Sequence, residues 1–78
     1  MHTAYLLISA ETGHAESVLR ALEKIDAVEE AYMVYGTYDI IAKINTDSME
    51  KLKDIIINVR HVGKVQSTQS MVVVGETE

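Results

Sequence analysis

Two short stretches carry side chains whose types and spacing could bind a ligand. The first is "VYGTYDI", Val34 to Ile40, in which Gly36, Thr37, Tyr38 and Asp39 follow one another. The second is "QSTQS", Gln66 to Ser70, which sets Ser67, Thr68 and Ser70 into an otherwise apolar run. An aspartate at the start of a strand can cap its own turn through the backbone. It can equally serve as counter-ion to an ammonium, while N–H groups of a glycine turn hold a carboxylate. Those groups together would grip both charged ends of a free α-amino acid. The hydroxyl and amide cluster also has two readings. It is either the polar dressing of an edge strand, which discourages unwanted pairing, or the lining of a small polar pocket.

Other chemistries find little support. His2, His14 and His61 are dispersed, with neither an i, i+4 pair nor a His-x-His pair to hold a metal. The nucleophile elbow G-x-S-x-G, the Walker loop and G-x-G-x-x-G are all absent. No catalytic residue, metal or cofactor is expected. Met33, Met49 and Met71 read as core filler. Tyr32, Tyr35 and Tyr38 cluster about the glycine turn and suit a half-buried contact, apolar in body and wet at the tip. The acidic end, Glu76 to Glu78, reads as solvated and frayed.

The chain has 78 residues and no cysteine, so one small domain, residues 1–78, must hold together without disulfides. A domain of this size buries a modest share of its surface. Yet 47% of its residues are hydrophobic. That excess points to apolar surface shared between subunits. The net charge of −5 and the scattered basic residues, Arg20, Lys24, Lys43, Lys51, Lys53, Arg60 and Lys64, argue against direct nucleic-acid binding. No apolar run approaches the roughly 20 residues of a membrane helix. The N-terminus lacks a basic start and a long apolar core. A cytoplasmic protein with no membrane partner is expected.

The elements that must position the two stretches follow from periodicity. Thr3 to Ser9 is apolar at both parities and reads as a strand covered on both faces. Ala15, Val18, Leu19, Leu22 and Ile25 fall at helical spacing, with Thr12 or Gly13 as the start and a Glu16–Arg20 pair along the helix. Val28 to Tyr35 and Tyr38 to Asn45 are strands joined by a tight reversal at Gly36-Thr37. Asp47 with Glu50 resembles a capping box, opening a second helix whose stripe is Met49, Leu52, Ile55, Ile56 and Val59. Gly63 then releases the chain into a last strand, Val65 to Val74.

The order β-α-β-β-α-β predicts an α+β, ferredoxin-like fold. Its four-stranded antiparallel sheet has the first and third strands at the centre and both helices on one face. Strand positions of the other parity still carry large apolar side chains, and a bare apolar face is poorly tolerated on a monomer. Two sheets packed face to face, as in a dimeric α+β barrel, would cover it.

With hairpin and last strand in view, the chain resembles the effector-binding RAM domain of the Lrp/AsnC, or feast/famine, transcriptional regulators. "VEEAYMVYGTYDIIAKI", a helix and "GKVQSTQSMVVV" follow that family's order. Val34, Gly36 and Asp39 match its V-x-G-x-x-D turn, and Ser67 and Thr68 its polar segment. His61-Val62-Gly63 departs from the Pro-Gly-Val common in relatives. The chain begins at the first strand, so it resembles the stand-alone form, without the helix-turn-helix. The resemblance implies a homodimer that associates into an octamer-like ring, binding an amino acid or similar small effector between dimers. It also implies a possible association with full-length regulators. Gly36, Thr37, Tyr38, Asp39, Ser67, Thr68 and Ser70 would form the effector site. The expected function is a non-enzymatic module modulating transcription of amino-acid metabolism. The alternatives are a small monooxygenase-type enzyme on the same architecture and a purely structural oligomerisation module. Aliphatic helix stripes and the absence of Trp and Phe weigh against the enzyme.

Overall fold

Why alternate residues of the two central strands are so apolar becomes plain once the layers are in view. In a computed structural model that describes residues 1–75, Ala4, Leu6, Ile8 and Ala10 of β1 (His2–Ala10) point to one side of the sheet and are buried. Ile40, Ala42 and Ile44 of β3 (Ile40–Thr46) do the same. Against them lie α1 (Ala15–Glu23), through Val18 and Leu22, and α2 (Met49–Arg60), through Leu52 and Val59. Each Leu, Ile or Val among them contributes roughly 1.5–3 kcal/mol when fully buried. The edge strands β2 (Val28–Met33) and β4 (Val65–Val72) complete an antiparallel four-stranded sheet of order β2-β3-β1-β4. This is the ferredoxin-like arrangement read from the sequence.

The boundaries carry several corrections. The first helix begins at Ala15 with His14 at its cap and no side-chain cap bond, not at Thr12 or Gly13. The chain turns at Gly13, φ 82°, and the His14 N–H bonds the Glu11 carbonyl at 2.9 Å, a turn that delays the helix. Ser48, not Asp47, caps α2: its Oγ accepts from the Lys51 N–H at 3.1 Å. Asp47 instead reaches the Lys51 ammonium at 3.4 Å. The hairpin link is longer than a two-residue reversal, because β2 ends at Met33 and β3 starts at Ile40. A bond from the Val34 N–H to the Asp39 carbonyl, 2.8 Å, closes it. The left-handed residue before β4 is Lys64, φ 74°, rather than Gly63. The methionines are not core filler: Met33 and Met71 are about half exposed (54% and 48%), and Met49 lies at the rim of its stripe. Glu76 to Glu78 lie outside the described residues.

The helix-free face is mixed. Tyr5, Leu7, Tyr32, Ile41 and Met71 give it at least one large apolar side chain per strand. Between them stand Lys43, Asn45 and Gln69. A register irregularity between Val28 and Glu30 turns Glu29 toward this face as well. There Glu29 accepts from the Asn45 amide at 2.6 Å and pairs with Lys43 at 3.4 Å. The Thr3 hydroxyl donates to the other end of the Asn45 side chain.

Candidate functional site

The topology gathers the glycine turn, the end of β1 and the start of β4 at one end of the sheet. Antiparallel pairing sets Ile8 beside Ile40 on one flank and beside Thr68 on the other. The turn between β2 and β3 therefore lies one strand away from the last residues of β1, and the Ser67 segment lies on their opposite side. Asp39 and Ser67 flank the same short piece of backbone, two strand spacings or roughly 10 Å apart.

Asp39 is half-buried and engaged. Its backbone N–H donates to the Ile8 carbonyl at 2.9 Å, and its Oδ2 accepts the Ala10 N–H at 2.8 Å. The pairing of β1 with β4 shifts register between Ser9 and Ala10, and Asp39 supplies an acceptor for the Ala10 amide there. The turn-capping job is thus real, and it uses one carboxylate oxygen. Oδ1 has no protein partner among the described residues. In the same turn, the N–H groups of Gly36, Thr37 and Tyr38 have no acceptor among the described residues. Gly36 has φ 141°, a backbone conformation that a side chain would strain. Gly36 and Thr37 are exposed and Tyr38 is half-buried.

The polar segment of β4 is split between the two faces. Ser67 pairs with Ser9 on the helix-free side, where the two hydroxyls lie 2.6 Å apart. Thr68 and Ser70 pair with Ile8 and Leu6 on the helix side and are half-buried. Ser67 and Thr68 line a recess of about 300 Å³ with Val65, Gln66 and Arg60, and the glycine turn does not contribute to it. One chain therefore brings Asp39 and Ser67 to the same end of the sheet without enclosing a ligand between them. The sequence reading missed Ser9, Ala10 and Arg60. Ser9 could have been found as a small hydroxyl at the open parity of an apolar strand, near its end; Arg60 had no signal beyond its place at a helix end. Among the described residues, no three His, Cys, Asp or Glu side chains come together to hold a metal. No helix among them is long and apolar enough to cross a membrane.

The fold and turn chemistry meet a known family at this point. Residues 3–78 match the model of the Lrp/AsnC ligand-binding domain. The chain belongs to the Lrp/AsnC family. Its ligand-binding domain is similar to that of the HTH-type transcriptional regulator FL11 of Pyrococcus furiosus, 31% identical over 90% of this chain and 46% of the regulator. Regulatory protein AsnC of Escherichia coli is 36% identical over 73% of this chain and 38% of its own length. The chain thus spans less than half the length of these curated relatives. The solved structure of hypothetical protein PHS023 from Pyrococcus horikoshii is similar throughout, with a TM-score of 0.89 at 35% identity. That match covers 97% of this chain and 93% of that one. Homology to transcriptional regulators follows for this Lrp/AsnC domain.

Proposed function

We propose that this domain is a non-enzymatic assembly module that responds to a small effector, an amino acid or a close analogue. The observation that carries the reading is the turn itself: the N–H groups of Gly36, Thr37 and Tyr38, which find no acceptor among the described residues, immediately precede Asp39, whose carboxylate has one oxygen without a partner among them. The amides suit a carboxylate and the spare oxygen suits an ammonium. Ser67, Thr68 and Ser70 would supply hydroxyls from another copy, because a single chain does not close the pocket. Copies would meet first through the helix-free face, whose Tyr5, Leu7, Ile41 and Met71 need cover, and dimers would then associate into a ring. In that setting the effector shifts assembly, and with it transcription, by binding one assembly state better than another. The interior between helices and sheet is filled by Leu6, Ile8, Leu22, Ile40 and Leu52, which supports a binding role over catalysis there.

Thermal unfolding with each of the twenty amino acids, paired with light scattering, tests the proposal. A true effector at one hundred times its Kd stabilises by about 2.7 kcal/mol through mass action and changes the particle mass. Asp39→Asn, which keeps an acceptor for Ala10 but removes the charge, should weaken that effector at least tenfold. A monomeric particle at micromolar concentration, or no stabilisation by any amino acid, refutes it.

A further inference from the structure

The recess between the end of α2 and the start of β4 has a lining of one kind. Arg60, Gln66, Ser67 and Thr68 all carry hydrogen-bond donors, and the remaining lining residue, Val65, is apolar. No acid takes part, in a chain with 12 acidic against 7 basic residues. By contrast, a recess of similar size beside β2 is lined by Glu23, Glu29 and Glu30. The Arg60 guanidinium has no ion-pair partner among the described residues, whereas Arg20, Lys43 and Lys51 each have one.

The end of a helix normally repels anions, because its last carbonyls are free. Here that objection is weakened. The Asn58 and Val59 carbonyls accept from the N–H groups of His61 and Val62, and the Ile57 carbonyl accepts from the His61 ring at 2.9 Å. The Ser67 hydroxyl is engaged with Ser9 at 2.6 Å on the helix-free side, so the side-chain donors offered to the recess are those of Arg60, Gln66 and Thr68.

We propose that this recess is an oxyanion subsite, in which Arg60 takes the carboxylate or phosphate of a small metabolite in the forked geometry a guanidinium offers. Gln66 and Thr68 add neutral side-chain donors. The subsite is distinct from the glycine turn. It rests on the effector reading only in taking Thr68 as ligand-facing, and it extends the ligand class to acids that need no ammonium.

The test is an amide-resolved NMR titration of the whole chain with glutarate and, separately, inorganic phosphate, against sodium chloride at matched ionic strength. The expected result is saturable shifts at Gln66, Ser67 and Thr68 with one or both anions, absent in chloride. Arg60→Gln should weaken binding at least tenfold while its thermal midpoint stays near that of wild type. Arg20→Gln, which removes an exposed positive charge on α1 away from both sites, should leave this binding unchanged. Response to glutarate alone assigns a carboxylate, and response to phosphate alone a phosphate. No saturable shift with either anion, equal shifts in chloride, or an Arg60→Gln chain that binds like wild type overturns the proposal. Loss of amino-acid binding in Asp39→Asn concerns the glycine turn, so the two readings fail separately.

Discussion

At Asp39 the Ala10 amide and an ammonium ligand would use different oxygens of one carboxylate. Asp39→Ala should therefore lose stability even without ligand, by about 1–3 kcal/mol, the cost of a part-buried N–H left without an acceptor. Asp39→Asn should keep most of it, and urea unfolding of the two variants separates the structural from the charge role. Lys64 offers a second residue-scale prediction. A side chain in the left-handed region costs about 1–2 kcal/mol, and glycine there gives back part of that gain as chain entropy. Lys64→Gly should gain up to about 1 kcal/mol in urea unfolding. Gly63 has an ordinary backbone angle and open space about it. Gly63→Ala should then cost nothing, the reverse of what a releasing glycine would predict.

For the elements, the capping residue of α2 decides where that helix begins. Ser48→Ala should cost about 1 kcal/mol. Asp47→Ala should stay within about 0.5 kcal/mol, since its ion pair with Lys51 is exposed. Leu52→Ala, in the packed interior, should cost about 2–5 kcal/mol. Thermal or urea unfolding measures all three. The element order and the buried parity of β1 and β3 were legible in the sequence because period-2 and period-3.6 apolar patterns are set by burial against one layer. The caps were not, because Asp47 and Ser48 are both good N-caps and spacing alone cannot choose between them. The fate of the methionines was also hidden: Met33 falls at the helix-facing parity of β2, but as the last residue of that edge strand it is left half exposed, while Val28 and Ala31 of the same strand pack against the core. Of the candidate site, the Gly36–Asp39 turn was readable from its residue types. The bond from Ala10 to Asp39 joins residues far apart in the chain and has no local signature.

On the scale of the whole molecule, the helix-free face ties its stability to alkaline pH. The Glu30 carboxylate, hydrogen-bonded to the Tyr32 hydroxyl, holds that phenol above its ordinary 10.0, and Glu29 holds the Lys43 ammonium above its ordinary 10.5. In both cases the folded chain keeps its proton more tightly than the unfolded one. The stabilisation is therefore fully present below about pH 10 and is lost as pH rises through the raised values. Urea midpoints measured from pH 8 to pH 11 should fall at the alkaline end in wild type and fall less in a Tyr32→Phe, Glu29→Gln double variant. The register shift in β2 has one more outcome for the molecule. By bending the outer ladder and turning two neighbouring acids the same way, it denies a stray extended peptide the straight, uncharged rail it would need to attach along that border. Edge-to-edge growth from β2 is thereby disfavoured at the start of that strand, by geometry and by charge.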